Sequence, residues 1–518
     1  MRKLWRSLTC VLALAVWGSV WAQESQAFDI FEFQVEGATL LPVSAVEAAV
    51  YPYLGEKKTL QDVEAARLSL EKSYHTAGYL TVLVSIPQQK VEDAVVRLAV
   101  TEAAVERLRI VESRYYSPGE IRAAVPSLAE GKVTNFADMQ EELAALNRSA
   151  DRRVSPVLRP GKTPGTVEVD LKVQDELPLH GSVELNDRYS EGTTPTRAAA
   201  NLRWDNLWGR QHSLGVTLQT VPENPRESNA VSMNYTWPQR NGDILALYAV
   251  RSESDVTAVG SLSVVGKGDI WGARYIMPLP AGDSFFHTAT LGVDYKDFKQ
   301  SVTVIGSGGF NTPIHYMPLT MGWDGNWLNE GSNTKLGVSF NFHLQGMAGT
   351  EQEFADKRYK GKPGYSYLKG NASHKLGIGG DWAVSARANV QIANQALVSN
   401  EQFGIGGVDS VRGYYESAAT GETGISTSLE LISPNWAPAA NEDIKDLRSY
   451  FFVDQGSVTV IDPLTANGQF NLGGVGFGLR VLGSQGLTAS LDWAVALNEI
   501  GKTKQGDSRL YFRLAYEW

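Results

Sequence analysis

The chain has 518 residues, with 47 Lys+Arg against 57 Asp+Glu, a net charge of −10 and a single cysteine, Cys10. That acidic balance speaks against a nucleic-acid partner, which needs clustered Lys and Arg. One cysteine excludes a disulfide scaffold and a thiolate metal site. At roughly 100–200 residues per domain, the length calls for several domains or one large barrel.

The first residues read as an export signal. Arg2, Lys3 and Arg6 precede an apolar stretch from Leu8 to Val16, and Val20-Trp21-Ala22 supplies the cleavage pattern. Residues 1–22 are predicted to be removed between Ala22 and Gln23. The apolar stretch is too short to span about 30 Å of hydrocarbon. No later run of 18 apolar residues occurs, so the exported chain is either soluble or a membrane β-barrel. Three of the 13 Trp lie in the signal and the other ten fall between Trp204 and Trp518. The regions on either side of residue 178 therefore face different surroundings.

Residues 23–102 and 103–177 carry one pattern twice. In the first copy, a strand from Phe31 to Val35 ends at Gly37, and Ser44 to Glu47 has the spacing of a helix-opening capping box. Thr59 to Asp62 opens a second helix, with Leu60, Val63, Ala66, Leu70 and Tyr74 on one face and Gly78 as its stop. Tyr79 to Ile86 and Ala94 to Val100 follow as strands. In the second copy, Val105 to Val111 is a strand and Ser117-Pro118-Gly119-Glu120 starts a helix. Phe136 to Leu146 is a second helix, and Val154 to Leu158 and Val167 to Val173 are strands. The order is β-α-α-β-β in both. Such modules leave strand edges that can accept an extended peptide.

Residues 178–518 alternate with period two. Leu179, Val183 and Leu185 oppose His180, Ser182, Glu184 and Asn186. Val231, Met233, Tyr235 and Trp237 oppose Ser232, Asn234 and Thr236. Runs of about ten residues end in Gly, Asn, Asp or Pro, the pattern of strands with a lipid face and a polar lumen face. Ile244 to Val250 is an exception, apolar on both faces. About sixteen such segments fit the region, and the even count puts both ends on one side. At the chain end Leu510, Phe512, Leu514, Tyr516 and Trp518 share one face. Phe512, Tyr516 and Trp518 resemble the terminal signal read by the outer-membrane assembly machinery.

Two short motifs narrow the reading. Val411-Arg412-Gly413-Tyr414 sits in a Gly-rich loop, Gly404 to Gly424, between the eleventh and twelfth candidate strands. Phe452-Val453-Asp454-Gln455-Gly456 lies in the thirteenth. Following two β-α-α-β-β modules, they resemble the two-partner secretion transporters of the ShlB/FhaC/HecB (TpsB) family, whose barrels follow periplasmic POTRA domains. Leu146 to Thr166 resembles the family's second POTRA module and Leu179 to Asn186 its first barrel strand. The resemblance implies two POTRA domains, 23–102 and 103–177, and a 16-stranded outer-membrane barrel over 178–518. It implies a loop folded into the lumen with Arg412 paired to Asp454 on the wall, near Phe452 and Gly456. An Arg fork fits a carboxylate better than Lys does, and Gly413 suits a tight tip. In a wet lumen such a pair is worth about 1–3 kcal/mol. Family members often carry an N-terminal plug helix. Here about six residues separate the cleavage site from the first module, so that helix is expected to be absent.

The implied function is capture of an unfolded, haemolysin- or adhesin-like exoprotein through the POTRA domains and its translocation to the cell surface. The partners would be that large exoprotein, with its N-terminal secretion domain, the outer-membrane lipid and the barrel assembly machinery. The alternative is an assembly or insertion factor of the same superfamily. No phosphate loop, H-E-x-x-H or G-x-S-x-G motif is present, and the seven His show no metal spacing. No enzyme, cofactor or metal is expected.

Overall fold

The structure is a computed structural model describing residues 27–518, apart from 240, 254–255, 260–261, 266, 300, 303–309, 438–442 and 465–466. The signal expected at 1–22, with its cleavage site Ala22–Gln23, lies outside the described residues. The chain divides into two compact units, Met1–Glu176 and Leu177–Trp518.

The first unit holds two three-stranded sheets of the same topology. In one, Glu32–Glu36 runs parallel to the central Val95–Thr101, which pairs antiparallel with Leu83–Ser85. In the other, Ala104–Val111, Thr166–Asp175 and Arg152–Pro160 repeat that arrangement. Helix Leu60–Thr76 buries Val63, Ala66, Leu70 and Tyr74, of which Val63, Leu70 and Tyr74 share one core with Val96 and Leu98. Helix Phe136–Leu146 buries Met139, Leu143 and Leu146 with Val169 and Leu171. Asn135 caps the latter by accepting the Ala137 N–H at 2.9 Å. In the former, Asp62 accepts the Thr59 N–H at 2.8 Å, as the spacing predicts.

Three expectations need correction here. Helix Val43–Val50 starts one residue before Ser44, with Pro42 as its N-cap and no side-chain cap. The Pro42 carbonyl already accepts the Ala45 N–H at 2.9 Å, so the backbone supplies the start. Leu60 is exposed, because the buried stripe begins one turn later at Val63. The strand expected over Tyr79 to Ile86 is only Leu83–Ser85, since a turn closed by Val82 N–H to Tyr79 C=O takes up its first half. Two short paired strands, Phe28–Ile30 and Gly55–Lys58, are additional; they are too brief to show a period.

In the second unit, sixteen antiparallel strands among the described residues close into a barrel, from Leu179–Asn186 to Ser508–Glu517. The eighth is broken into Ile314–Tyr316 and Leu319–Asn329. Closure runs from Arg513 opposite Asn186 to Glu517 opposite Ser182. Gly181 and Trp518 then exchange backbone hydrogen bonds of 3.1 and 3.0 Å. A Cβ at Gly181 would strike the Trp518 ring at 2.1 Å, so glycine makes room for the terminal aromatic. Apolar side chains such as Val183, Met233, Leu429 and Phe512 point outward and are exposed, as a lipid-facing belt requires. Connections at one end are short, as at 330–331 and 380–381, and at the other long, as at 343–365 and 394–422. In outer-membrane barrels the short turns are periplasmic.

The fifth strand, Ile244–Ser252, explains its two apolar faces. Leu247 points outward, while Val250 joins a buried cluster at the long-loop end of the lumen with Ile270, Phe298, Tyr316 and Tyr367. Helix Glu351–Lys357 lies in the connection 343–365 and drives Phe354 into that cluster. Part of the barrel interior is therefore a packed apolar plug.

Candidate functional site

The loop between strand eleven, Trp382–Ala393, and strand twelve, Thr423–Ile432, folds inside the barrel. Phe403–Ile405 and Ala419–Gly421 pair as a short ribbon, which brings residues 406–418 round as a hairpin tip. Val411 and Tyr414 are fully buried in a cluster with Ile405, Val458 and Leu472. Gly413 has φ +105°, and a Cβ there would lie 3.0 Å from the Ala496 N. Both its conformation and its close approach to the wall need glycine.

Arg412 is 2% exposed and Asp454 is 0% exposed. Asp454 Oδ2 accepts Arg412 Nε at 2.7 Å and the Arg412 backbone N–H at 3.1 Å, while Oδ1 accepts Nη2 at 2.8 Å. Nη1 donates to Glu430 Oε1 at 2.9 Å and to Asp492 Oδ1 at 3.3 Å, and Nη2 also reaches Ser428 Oγ at 3.1 Å. All five guanidinium N–H groups are thereby used. The Phe452 ring lies under the guanidinium at 3.4 Å, a cation–π contact. Strands twelve, thirteen (Ile444–Thr459) and fifteen (Leu487–Ala496) each contribute a carboxylate. Arg387 and Arg480 also reach Glu430, at 3.3 and 3.1 Å, so three Arg balance three acids.

This pair is buried, against the expectation of a partly screened contact. Removing one partner of a buried pair typically costs about 3–5 kcal/mol, because a charge is left uncompensated. Two glycines admit the tip. A Cβ at Gly456 would meet Val411 at 2.8 Å, and one at Gly474 would meet the Arg412 carbonyl oxygen at 1.9 Å. Tyr511 of the last strand gives its hydroxyl proton to the Tyr414 carbonyl at 2.7 Å and accepts the Gly413 N–H at 2.8 Å. The Tyr414 hydroxyl lies 2.9 Å from the Gly473 carbonyl oxygen and accepts the Asn498 N–H at 2.9 Å.

Sequence reasoning missed the stem of this loop. Glu401, 3% exposed, accepts Lys296 Nζ, the Tyr316 hydroxyl and the Tyr367 hydroxyl, each at 2.6 Å. Glu422, fully buried, accepts the Ile461 N–H at 2.7 Å and pairs with Arg358 at 3.0 Å. Lone carboxylates in a loop carry no spacing signal. The Thr350/Glu353 capping box was a legible sign of helix Glu351–Lys357, with Glu353 accepting the Thr350 N–H at 2.6 Å.

At the C-terminus, Phe512, Tyr516 and Trp518 share the outer face, and Tyr516 stacks on Trp518 at 5.8 Å. In the first unit, most strand edges are occupied. Val84 N–H donates to Glu71 at 3.1 Å and its carbonyl accepts Arg67 at 3.0 Å. Asn147 does the same for Val154, at 2.6 and 2.9 Å, and Pro156 and Pro160 on that strand lack donors. Glu130 takes the Leu108 N–H at 3.2 Å. Glu32–Glu36 is the edge with no such cover among the described residues. Of the four outer edges of the two sheets, three are therefore engaged by side chains.

The comparisons agree with this architecture. A POTRA domain of ShlB type matches residues 28–103, and the haemolysin secretion/activation protein ShlB/FhaC/HecB matches residues 165–264 and 325–481. The chain belongs to this family. It is an outer-membrane transporter whose N-terminal modules are, as in the rest of the family, periplasmic. The outer membrane transporter CdiB of Dickeya dadantii (strain 3937) is 21% identical over 80% of this chain and 73% of its own length. The heme/hemopexin transporter protein HuxB of Haemophilus influenzae (strain 86-028NP) is 21% identical over 87% of this chain and 75% of its own. Among solved structures, CdiB from Escherichia coli superposes with a TM-score of 0.63 at 18% identity, covering 98% of this chain and 93% of that one. BamA from Haemophilus ducreyi lacking POTRA domains 1–3 gives 0.59 at 14% identity, covering 95% and 100%. At those identities the two structures support the fold alone.

Proposed function

We propose that this chain exports one large exoprotein, captured unfolded by its periplasmic modules, and that the loop carrying Arg412 is the element whose position decides transport. Residues 1–22 act as the signal, 23–102 and 103–177 as the two POTRA domains and 178–518 as the translocator. Capture uses the outer edge of Glu32–Glu36, where an extended chain can add as a strand by main-chain hydrogen bonds. The terminal Phe512, Tyr516 and Trp518 engage the barrel assembly machinery, and the outward apolar belt engages lipid. Neither nucleic acid nor catalysis enters this reading.

The observation that carries the reading is the Arg412 cluster. A guanidinium with every N–H engaged on three strands holds the tip in one place, and its loss changes the balance between two loop positions. A change of 1.4 kcal/mol is a factor of about ten in such a balance. The test deletes the chain and compares the culture medium and cell surface. One large protein disappearing, at unchanged levels of other outer-membrane barrels, supports export. A general fall in outer-membrane barrels supports the assembly-factor alternative instead.

A further inference from the structure

The barrel interior is asymmetric at its long-loop end. Around strands five to ten, Phe298, Tyr316, Phe354, Tyr365 and Tyr367 fill it with aromatic rings, and the Glu401 stem is latched there by Lys296. Around strands one to three the inward positions carry small or polar side chains, Glu184 and Arg197 among them, and no aromatic ring lines the cavity there. In register across those strands lie Ser182, Asn201 and Thr217, and one rung higher Glu184, Ala199 and Gln219. A cavity of about 810 Å³ lies against them. It reaches from Leu482 and Thr488, beside the short turn 484–486, to Arg188 and Ser190, beyond the upper end of strand one. It thus passes the loop tip, whose Arg412, Asp409 and Glu416 line its side.

We propose that the exported chain crosses along the inner faces of strands one to three, between that wall and the loop tip, while the aromatic plug on strands five to ten stays seated. The proposal rests on the transporter reading and names the passage that reading leaves open. Three arguments favour this wall. First, an extended, unfolded polypeptide exposes a main-chain donor and acceptor at each non-proline residue, and Ser, Thr, Asn and Gln side chains can exchange hydrogen bonds with it without holding one sequence. Second, removing the aromatic plug would expose several ring side chains, each burying about 150–250 Å², whereas the cavity is already open. Third, few contacts cross its upper end: the Glu416 N–H donates to the Tyr189 carbonyl at 3.1 Å, Tyr415 meets Tyr189 edge-on at 5.4 Å, and the ion pair there is cheap. Arg188 pairs with Asp409 at 2.7 Å, but the pair is solvent-exposed, and such pairs are worth about 0–1 kcal/mol. Widening the lane then requires release of the Arg412 cluster that holds the tip, while the Glu401 stem can stay latched.

The test uses the full-length protein with Cys10 replaced, carrying one introduced cysteine, in planar bilayers with a cationic methanethiosulfonate reagent as probe. Ala199→Cys and Gln219→Cys face the cavity, whereas Val250→Cys and Ile270→Cys sit at the same end behind the plug. Modification is expected to reduce the current at the first two and to leave the last two unreacted and the current unchanged. Reaction and block at Val250→Cys or Ile270→Cys, or an unchanged current after confirmed modification at Ala199→Cys and Gln219→Cys, would overturn the proposal. In cells, Gln219→Trp is expected to lose export at normal membrane level, and Ile270→Val to retain it. Normal export by Gln219→Trp would also overturn it. A wild-type chain whose deletion removes nothing from the medium contradicts the transporter reading, while the current measurement still decides the lane.

Discussion

In the N-terminal unit the side chains withdrawn from solvent are Val63, Leu70, Tyr74 and their like, over a sheet. In the barrel the largest enclosed side chain is Arg412, and Asp454, Glu401 and Glu422 are enclosed with it, while Phe451 is 63% exposed. Outside its apolar clusters around Phe354 and Tyr414, the barrel therefore reverses the burial rule of the first unit. The difference follows from the solvent: water surrounds the first unit, whereas lipid surrounds the second and leaves its polar groups to one another. The interior of a barrel this wide can then hold a charged loop.

The largest effects should come from reversing each rule. Leu70→Ala in the first unit removes a fully buried side chain and is expected to cost about 2–5 kcal/mol, read as a lower melting midpoint of the isolated 27–176 fragment. Val453→Arg places a charge on the lipid face and is expected to cost about 2–4 kcal/mol near the bilayer midplane, read as loss of heat-modifiable barrel. If Val453→Arg assembles normally, the outward belt is not in lipid.

The sequence showed where each rule was periodic. Helix Phe136–Leu146 and the sixteen strands were legible because a single face had to be apolar over ten residues or more. Ile244 to Val250 looked irregular because Val250, on its lumen face, joins a buried cluster that Phe354 enters from more than 100 positions away. No local pattern encodes that contact. The capping site expected at Ser44 is displaced to Pro42, two residues earlier, where the helix starts on backbone hydrogen bonds alone. Arg412 and Asp454 were singled out through a family resemblance. Glu430, Asp492 and the Glu401 stem were not, since they come from separate strands or a lone loop position. The cover on the other strand edges was not legible, because Glu71 and Arg67 reach Val84 from a helix face, and Asn147 reaches Val154 from a helix end, that look like ordinary solvated surface.

A smaller effect concerns the seam. Trp518 continues the pairing of the last strand with the first through Gly181. Deleting Trp518 is expected to lower the amount of assembled barrel and raise its periplasmic degradation, measured by immunoblot of membrane fractions. Equal barrel levels would remove the terminal aromatic from the assembly account.

The smallest effect sharpens the water-facing side of the comparison. Partial burial alone would raise the Glu102 carboxyl, but the Thr39 hydroxyl and the Thr39 and Leu40 N–H groups outweigh it and hold it below its ordinary value. A depressed carboxyl contributes stability that is present above its unfolded-state pKa and is lost as pH falls through the folded one. The 27–176 fragment should therefore lose stability on acidification below the ordinary carboxylate range, and Glu102→Gln should flatten that loss. An unchanged acid profile in Glu102→Gln would place the acid sensitivity elsewhere.

The central claim is that the buried Arg412 cluster holds a movable loop rather than the barrel, and one experiment addresses it directly. Export, membrane level and channel conductance are measured in the same strains carrying Arg412→Ala and Arg412→Lys. The account predicts a normal level of folded barrel in both, altered conductance, export abolished or sharply reduced in Arg412→Ala and partial in Arg412→Lys, whose single ammonium cannot span three carboxylates. Normal export by Arg412→Ala, or disappearance of the barrel itself, would contradict it.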